Sequence, residues 1–128
     1  MSSGLVDTTV FIAGEAGRPL RTELLPDRLS VSVITIGELR AGVLAAGDLD
    51  TRDRRLATLT RAMALEPVPI DEDVATAWAK LRAVLAHAGL RLGINDSWIA
   101  ATALALGVPV VTQDAEFAAV PGLEVIRV

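Results

Sequence analysis

The 128-residue chain has no cysteine and only one histidine, His87. Without thiols it has no disulfide, no thiolate nucleophile and no cysteine zinc site, and a single imidazole cannot build a multi-histidine metal centre. No apolar run reaches the roughly 18 to 20 residues of a membrane span. Met1 to Gly4 carries neither a basic flank nor a long apolar stretch, so no secretory signal is expected and the cytoplasm is the expected location. Lysine is nearly absent as well: of the 12 basic residues only Lys80 is a lysine, and the rest are arginines. With 16 acids the net charge is −4, a poor balance for holding nucleic acid by electrostatics alone. The chemistry left to the chain runs on carboxylates, hydroxyls and arginines.

Hydrophobic residues make up 52% of the sequence and charged residues 22%, a globular composition of a length that suits one domain over residues 1–128. Leu5-Val6 reads as a short buried strand that meets a helix start at Asp7. Leu29 to Ser32 reads as a second strand and Val33 to Ala46 as a helix. Thr51 to Leu65 has Leu56, Leu59 and Met63 on one face and arginines on the other, an amphipathic helix. Glu66 to Ile70, with two prolines, suits an edge strand. Val74, Trp78, Leu81, Leu85 and Ala88 form the apolar stripe of a helix opening at Asp71 and capped by Gly89. Asn95-Asp96 begins another helix that stops at Gly107, before a buried strand, Val108 to Thr112. Asp114 to Ala119 is a helical turn, and Leu123 to Ile126 reads as the last strand. Strands alternating with helices predict an α/β fold: a mostly parallel central sheet of four to five strands flanked by helices.

Ligands of open parallel sheets bind beyond the carboxyl ends of the strands, which draws attention to Asp7 and Asp114. Either one also suits a simple helix cap. Asp96 has the same two readings, because it starts a helix yet lies on the face that packs inward. Glu38 sits inside Ile34 to Ala41 on a largely apolar face. A carboxylate buried there needs an arginine such as Arg40, hydrogen-bond donors or a metal. Four converging carboxylates repel one another unless a cation neutralises them, and hard oxygen ligands suit Mg²⁺ or Mn²⁺. Such a centre can activate water against a phosphodiester.

Four blocks carry these acids in order: Leu5 to Ile12, Ile34 to Gly42, Ile94 to Leu104 and Val110 to Phe117. Together they resemble the motif blocks of PIN-domain ribonucleases, in particular the VapC-type toxins of bacterial toxin–antitoxin pairs, over essentially the whole chain. The resemblance implies a single PIN-like domain, Mg²⁺- or Mn²⁺-dependent cleavage of RNA, homodimerisation and inhibition by a small cognate antitoxin. By motif, Asp7, Glu38, Asp96 and Asp114 would be the metal-site acids. Glu116 falls where many relatives have a further aspartate and would be either a ligand of a second metal or a residue behind the direct ligands, its longer side chain fitting the second role as well as the first. Thr9 and Thr112 occupy hydroxyl positions able to hydrogen-bond a carboxylate or a phosphate. Setting the four acids aside leaves twelve acidic against twelve basic residues, so attraction of RNA must come from local arginines and the bound cation. Arg52, Arg54, Arg55 and Arg61 form the densest basic cluster, which also reads as an exposed helix face. His87 reads as a surface residue near a helix C-terminus, and Trp78 and Trp98 read as core or dimer contacts. Two rival readings are a catalytically silent PIN-like binding module and a phosphatase of the haloacid dehalogenase type. The latter normally has a second aspartate two residues after the first, where this chain has Thr9.

Overall fold

The computed structural model describes residues 1–128. Five strands, β1 (Ser3–Val6), β2 (Arg28–Ser32), β3 (Pro67–Val68), β4 (Val110–Thr112) and β5 (Val125–Arg127), form one sheet in the order β3-β2-β1-β4-β5. Five helices surround it: α1 (Thr8–Glu15), α2 (Val33–Leu44), α3 (Leu49–Met63), α4 (Glu72–Ala88) and α5 (Ile94–Leu106). Short 3-10 turns occupy Thr22–Leu24 and Ala115–Ala119. Every strand pair is parallel, so the expected mostly parallel sheet is parallel throughout.

Side-chain alternation along β1 and β4 builds the two faces of the core. Leu5 pairs with Val110 and Val6 with Val111. Leu5 and Val110 pack with Leu81, Leu85, Ile99 and Phe117 on one side, while Val6 and Val111 pack with Val10 and Val128 on the other. Gly4 makes this close pairing possible: a Cβ there would come within 2.8 Å of both Pro26 Cγ and Val111 Cγ2. β3 keeps only Pro67–Val68 of the expected Glu66 to Ile70 run, because two prolines remove ladder donors and confine it to the sheet edge. The last strand starts at Val125 rather than Leu123, after a turn in which Gly122 has φ +78°.

Asp71 caps α4 by accepting from the Val74 amide at 3.0 Å, and Gly89, with φ +68°, ends it. Val74, Leu81 and Leu85 are buried and Trp78 half-buried; Ala88 is exposed, so the apolar stripe is one turn shorter than its spacing suggests. α3 packs against α2 and buries Leu59, whereas Leu56 and Met63 on the expected apolar face stay about half-exposed. No helix is long and apolar enough to cross a membrane.

Candidate metal centre

From β1 the sheet grows one way to β2 and β3 and the other way to β4 and β5, so the strand order reverses between β1 and β4. The crevice beyond their carboxyl ends is where a parallel sheet presents a site. Asp7 follows β1 there, with its amide donating to Val111 O at 2.8 Å. It occupies the N-cap position of α1, but its side chain caps nothing. Instead Thr9 and Thr112 donate their hydroxyl protons to Asp7 Oδ2, at 2.7 and 2.8 Å. Each hydroxyl in turn accepts a backbone amide, Thr9 from Gln113 at 3.1 Å and Thr112 from Asp114 at 2.8 Å. The carboxylate is 1% exposed, and its other oxygen, Oδ1, is buried without any hydrogen-bond partner. With Thr9 spent on Asp7 in the place of a second aspartate, the haloacid dehalogenase arrangement is absent.

Glu38 is half-buried on α2, where Ser32 caps the helix by accepting from the Ile34 amide at 3.0 Å. Thr8 donates to Glu38 Oε1 at 2.8 Å and stands 2.9 Å from the Thr35 hydroxyl. Because Thr8 gives its one proton to the carboxylate, Thr35 must be the donor of that pair. The ion pair with Arg40 does not form: the Arg40 guanidinium lies 3.7 Å from Met63 Sδ.

Asp96 stands in the first turn of α5, but the N-cap position belongs to Gly93, so the capping reading of Asp96 fails. Asp114 does cap, accepting from the Glu116 amide at 2.9 Å at the start of the 3-10 turn. That bond folds the Asp114 carboxylate back beside Glu116. Carboxylate oxygens of Asp96, Asp114 and Glu116 all lie within 4.8 Å of one another. Asp7 and Glu38 stand outside this trio, yet their charges reach it. Burial first, then the charges of Asp7, Asp114, Glu38 and Glu116, push the Asp96 carboxyl from 3.8 up to about 6.

The structure therefore brings the five expected acids into one electrostatic neighbourhood, with Glu116 inside the tightest group rather than at its margin. A buried carboxylate oxygen with no donor, beside mutually repelling carboxylates, fits a divalent cation and is otherwise costly. Two positioning residues had no role assigned from sequence, Thr8 and Thr35; both lie inside the acid-bearing blocks, but only the contact between α1 and α2 shows what their hydroxyls bond. The Arg52, Arg54 and Arg61 side chains are exposed on α3, and Arg55 donates to Gly42 O at 2.7 Å. His87 is exposed in the last turn of α4. Trp78 and Trp98 stack on each other, with ring centroids 4.4 Å apart and planes inclined by 4°.

Comparison with known proteins agrees with this architecture. The PIN domain family model matches residues 4–123. Ribonuclease VapC5 of Mycobacterium tuberculosis is 51% identical over 130 residues, covering 99% of this chain and 96% of that protein. Ribonuclease VapC4 of the same species is 50% identical, covering 97% and 95%. Among solved structures, VapBC-5 of M. tuberculosis, a member of the VapBC family of toxin-antitoxin systems, aligns over 100% of both chains with a TM-score of 0.92 and 48% identity. DNA-bound VapBC from Salmonella typhimurium aligns over 99% of this chain and 98% of that one, with a TM-score of 0.84 and 29% identity. With its five-stranded parallel sheet and its acids at the strand ends, this chain belongs to the PIN domain family and, within it, to the VapC ribonucleases.

Proposed function

We propose that this chain is the endoribonuclease toxin of a toxin–antitoxin pair, one nuclease domain over residues 1–128 acting in the cytoplasm. In this reading Asp7, Asp96, Asp114, Glu38 and Glu116 hold Mg²⁺ or Mn²⁺. The observation that carries it is Asp7 Oδ1, a buried carboxylate oxygen that no group of the protein satisfies. When bound, a divalent ion supplies an activated water for attack on the phosphodiester and neutralises charge on the phosphate. The chain's own part is to orient the ligands. Thr9 and Thr112 fix Asp7 through Oδ2 and leave Oδ1 free, Thr35 and Thr8 fix Glu38, and the Glu116 amide fixes Asp114. Hydrogen bonds of this kind behind metal ligands are worth roughly 10- to 100-fold in affinity or activity.

The proposed partners are RNA, a cognate antitoxin and a second copy of the chain. A groove of about 240 Å³ bounded by Ile12, Leu39 and Gly42 also reaches Glu15, Glu38 and Arg55. It suits an antitoxin segment that covers the apolar wall and places an arginine fork on the carboxylates. Leu44 and Leu49, 77% and 80% exposed around the turn between α2 and α3, supply apolar surface for pairing. The deciding experiment incubates the purified chain with RNA and, separately, a phosphomonoester, each with Mn²⁺, Mg²⁺ or EDTA. Cleavage of RNA alone, abolished by EDTA and by Asp7→Asn with the fold retained, is the expected result. RNA cleavage that survives full chelation overturns the metal reading.

A further inference from the structure

We propose that Arg82 and Arg91 form a phosphate-binding subsite for single-stranded RNA beside the carboxylate centre, with Arg82 held in place by the tryptophan stack. The subsite rests on the ribonuclease reading above. Although the chain is acidic overall, residues 74–95 contain no acidic residue at all and include Lys80, Arg82, His87 and Arg91. This uninterrupted basic stretch runs along α4 and through the loop that delivers the chain to Asp96. Arg82 and Arg91, both exposed, border one pocket of about 290 Å³ together with Leu85, Leu92 and Ser97. Ser97 is the immediate neighbour of Asp96, and the loop that carries Arg91 runs close to the carboxylate itself, since a Cβ at Gly93 would stand 3.8 Å from Asp96 Oδ2. The pocket and the carboxylates thus share the first turn of α5.

The basic groups are also held at fixed positions relative to Asp96. Trp78 Nε1 donates to Ser97 Oγ at 3.0 Å, and the Trp78 ring stacks on Trp98. The Arg82 guanidinium lies over the Trp78 ring, 5.0 Å from its centroid. An arginine laid on an indole face loses less freedom when its planar fork engages a phosphate. Arg91 sits in a loop pinned at both ends, by Leu90 N–H donating to Leu85 O at 2.9 Å and Ser97 N–H donating to Gly93 O at 2.8 Å. A strand whose scissile phosphate lies at the carboxylates would bring a neighbouring phosphate to these two guanidinium groups. An otherwise acidic nuclease gains its grip on RNA in this way.

The test follows cleavage of random-sequence single-stranded RNA oligonucleotides in Mn²⁺ across a range of NaCl concentrations, for wild type, Arg82→Ala, Arg91→Ala and Arg82→Lys. Each alanine variant should raise KM about tenfold, with kcat unchanged and the Mn²⁺-induced rise in Tm retained. The slope of log(1/KM) against log[NaCl] should be shallower by about 0.7 for each arginine removed. Arg82→Lys keeps the charge and should keep the slope, with a smaller rise in KM. Unchanged KM and slope in both alanine variants overturn the subsite, and so does loss of the Mn²⁺ stabilisation, which would make Arg82 a support for the carboxylates. Unchanged kinetics with a smaller particle in light scattering overturn it in favour of a contact between copies. A wild-type chain that cuts no RNA removes the ribonuclease reading itself and the subsite with it; a wild type that cuts while its variants behave identically removes the subsite alone.

Discussion

Asp96→Asn removes one charge from the centre while nearly preserving shape, and its effect on the metal-free protein can be worked out from the structure. The Asp96 carboxyl rises from 3.8 to about 6, chiefly through burial and then through Asp7, Asp114, Glu38 and Glu116. For an acid raised on folding, the native state binds the proton more tightly, so the penalty is absent below the unfolded value and complete above the folded one. Stability of the metal-free chain should therefore fall as pH rises from about 4 to about 6.5. Taken in full, the shift corresponds to about 3 kcal/mol; solvent screening of this half-buried side chain leaves about 1–2 kcal/mol. Asparagine forfeits the favourable charge in the first turn of α5, worth about 0.3–1 kcal/mol. The balance is a gain of about 1 kcal/mol at neutral pH, or roughly 4 °C in Tm. Metal acts in the opposite sense between the two proteins. A divalent ion at a hundredfold excess over Kd adds about 2.7 kcal/mol to wild type, and the variant, lacking one ligand charge, should gain less. Thermal unfolding of both proteins in EDTA and in Mg²⁺ measures all four quantities. A lower Tm for metal-free Asp96→Asn, together with equal stabilisation of the two proteins by Mg²⁺, would refute the reasoning and leave Asp96 as a helix-dipole residue.

Thr112→Val deletes a donor to Asp7 and an acceptor for the Asp114 amide, so it should lower RNA cleavage about 10- to 100-fold and stability by about 1–3 kcal/mol, read from initial rates and urea unfolding. Gly4→Ala should destabilise by about 1–3 kcal/mol, because the new Cβ meets Pro26 and Val111 at 2.8 Å; an unchanged urea midpoint would show that the sheet can yield there. Light scattering at micromolar concentration should give twice the chain mass, and a monomer would remove the pairing role of Leu44 and Leu49. In a complex with the cognate antitoxin, an arginine should cover the carboxylates, and a complex structure that leaves them open contradicts this.

How far the sequence discloses this centre depends on which interaction places each residue. Asp7 was legible because it directly follows a short apolar run, and Asp114 because it stands two residues beyond the end of another, so the local pattern places both at strand ends. Glu38 was legible because an ionisable group interrupts an apolar helix. That Asp7 and Asp114 come to the same end of the sheet depends on β1 pairing with β4 across most of the chain length, a contact no local pattern encodes. The hydroxyl network was legible only in part. Thr9 and Thr112 each stand two residues from the acid they serve or precede, whereas Thr8, although it follows Asp7 directly, bonds Glu38 and meets Thr35 on another helix, contacts that adjacency in sequence does not disclose. Glu116 joins Asp114 and Asp96 because the Asp114 side chain bonds the Glu116 amide. Spacing of two along a chain does not by itself bring side chains together.

The choice of donors around the acids carries its own argument. Asp7 accepts from two threonine hydroxyls, Glu38 from a third and Asp114 from a backbone amide; none of these hydrogen bonds comes from an arginine, although the chain has eleven of them. A neutral donor fixes the direction of a carboxylate and leaves its charge intact, while a guanidinium would fix it and neutralise it as well. Arg40, two residues from Glu38, is turned to Met63, so the most obvious internal counter-ion is kept away. The cost of the uncompensated charge appears at Asp96, whose carboxyl is pushed up, and at Asp7, whose Oδ1 is buried without a donor. On the proposed function, that cost keeps the site ready for a cation from outside the chain. The same accounting explains how an antitoxin arginine would inhibit: it would supply from a partner the charge that this chain withholds, in competition with the metal.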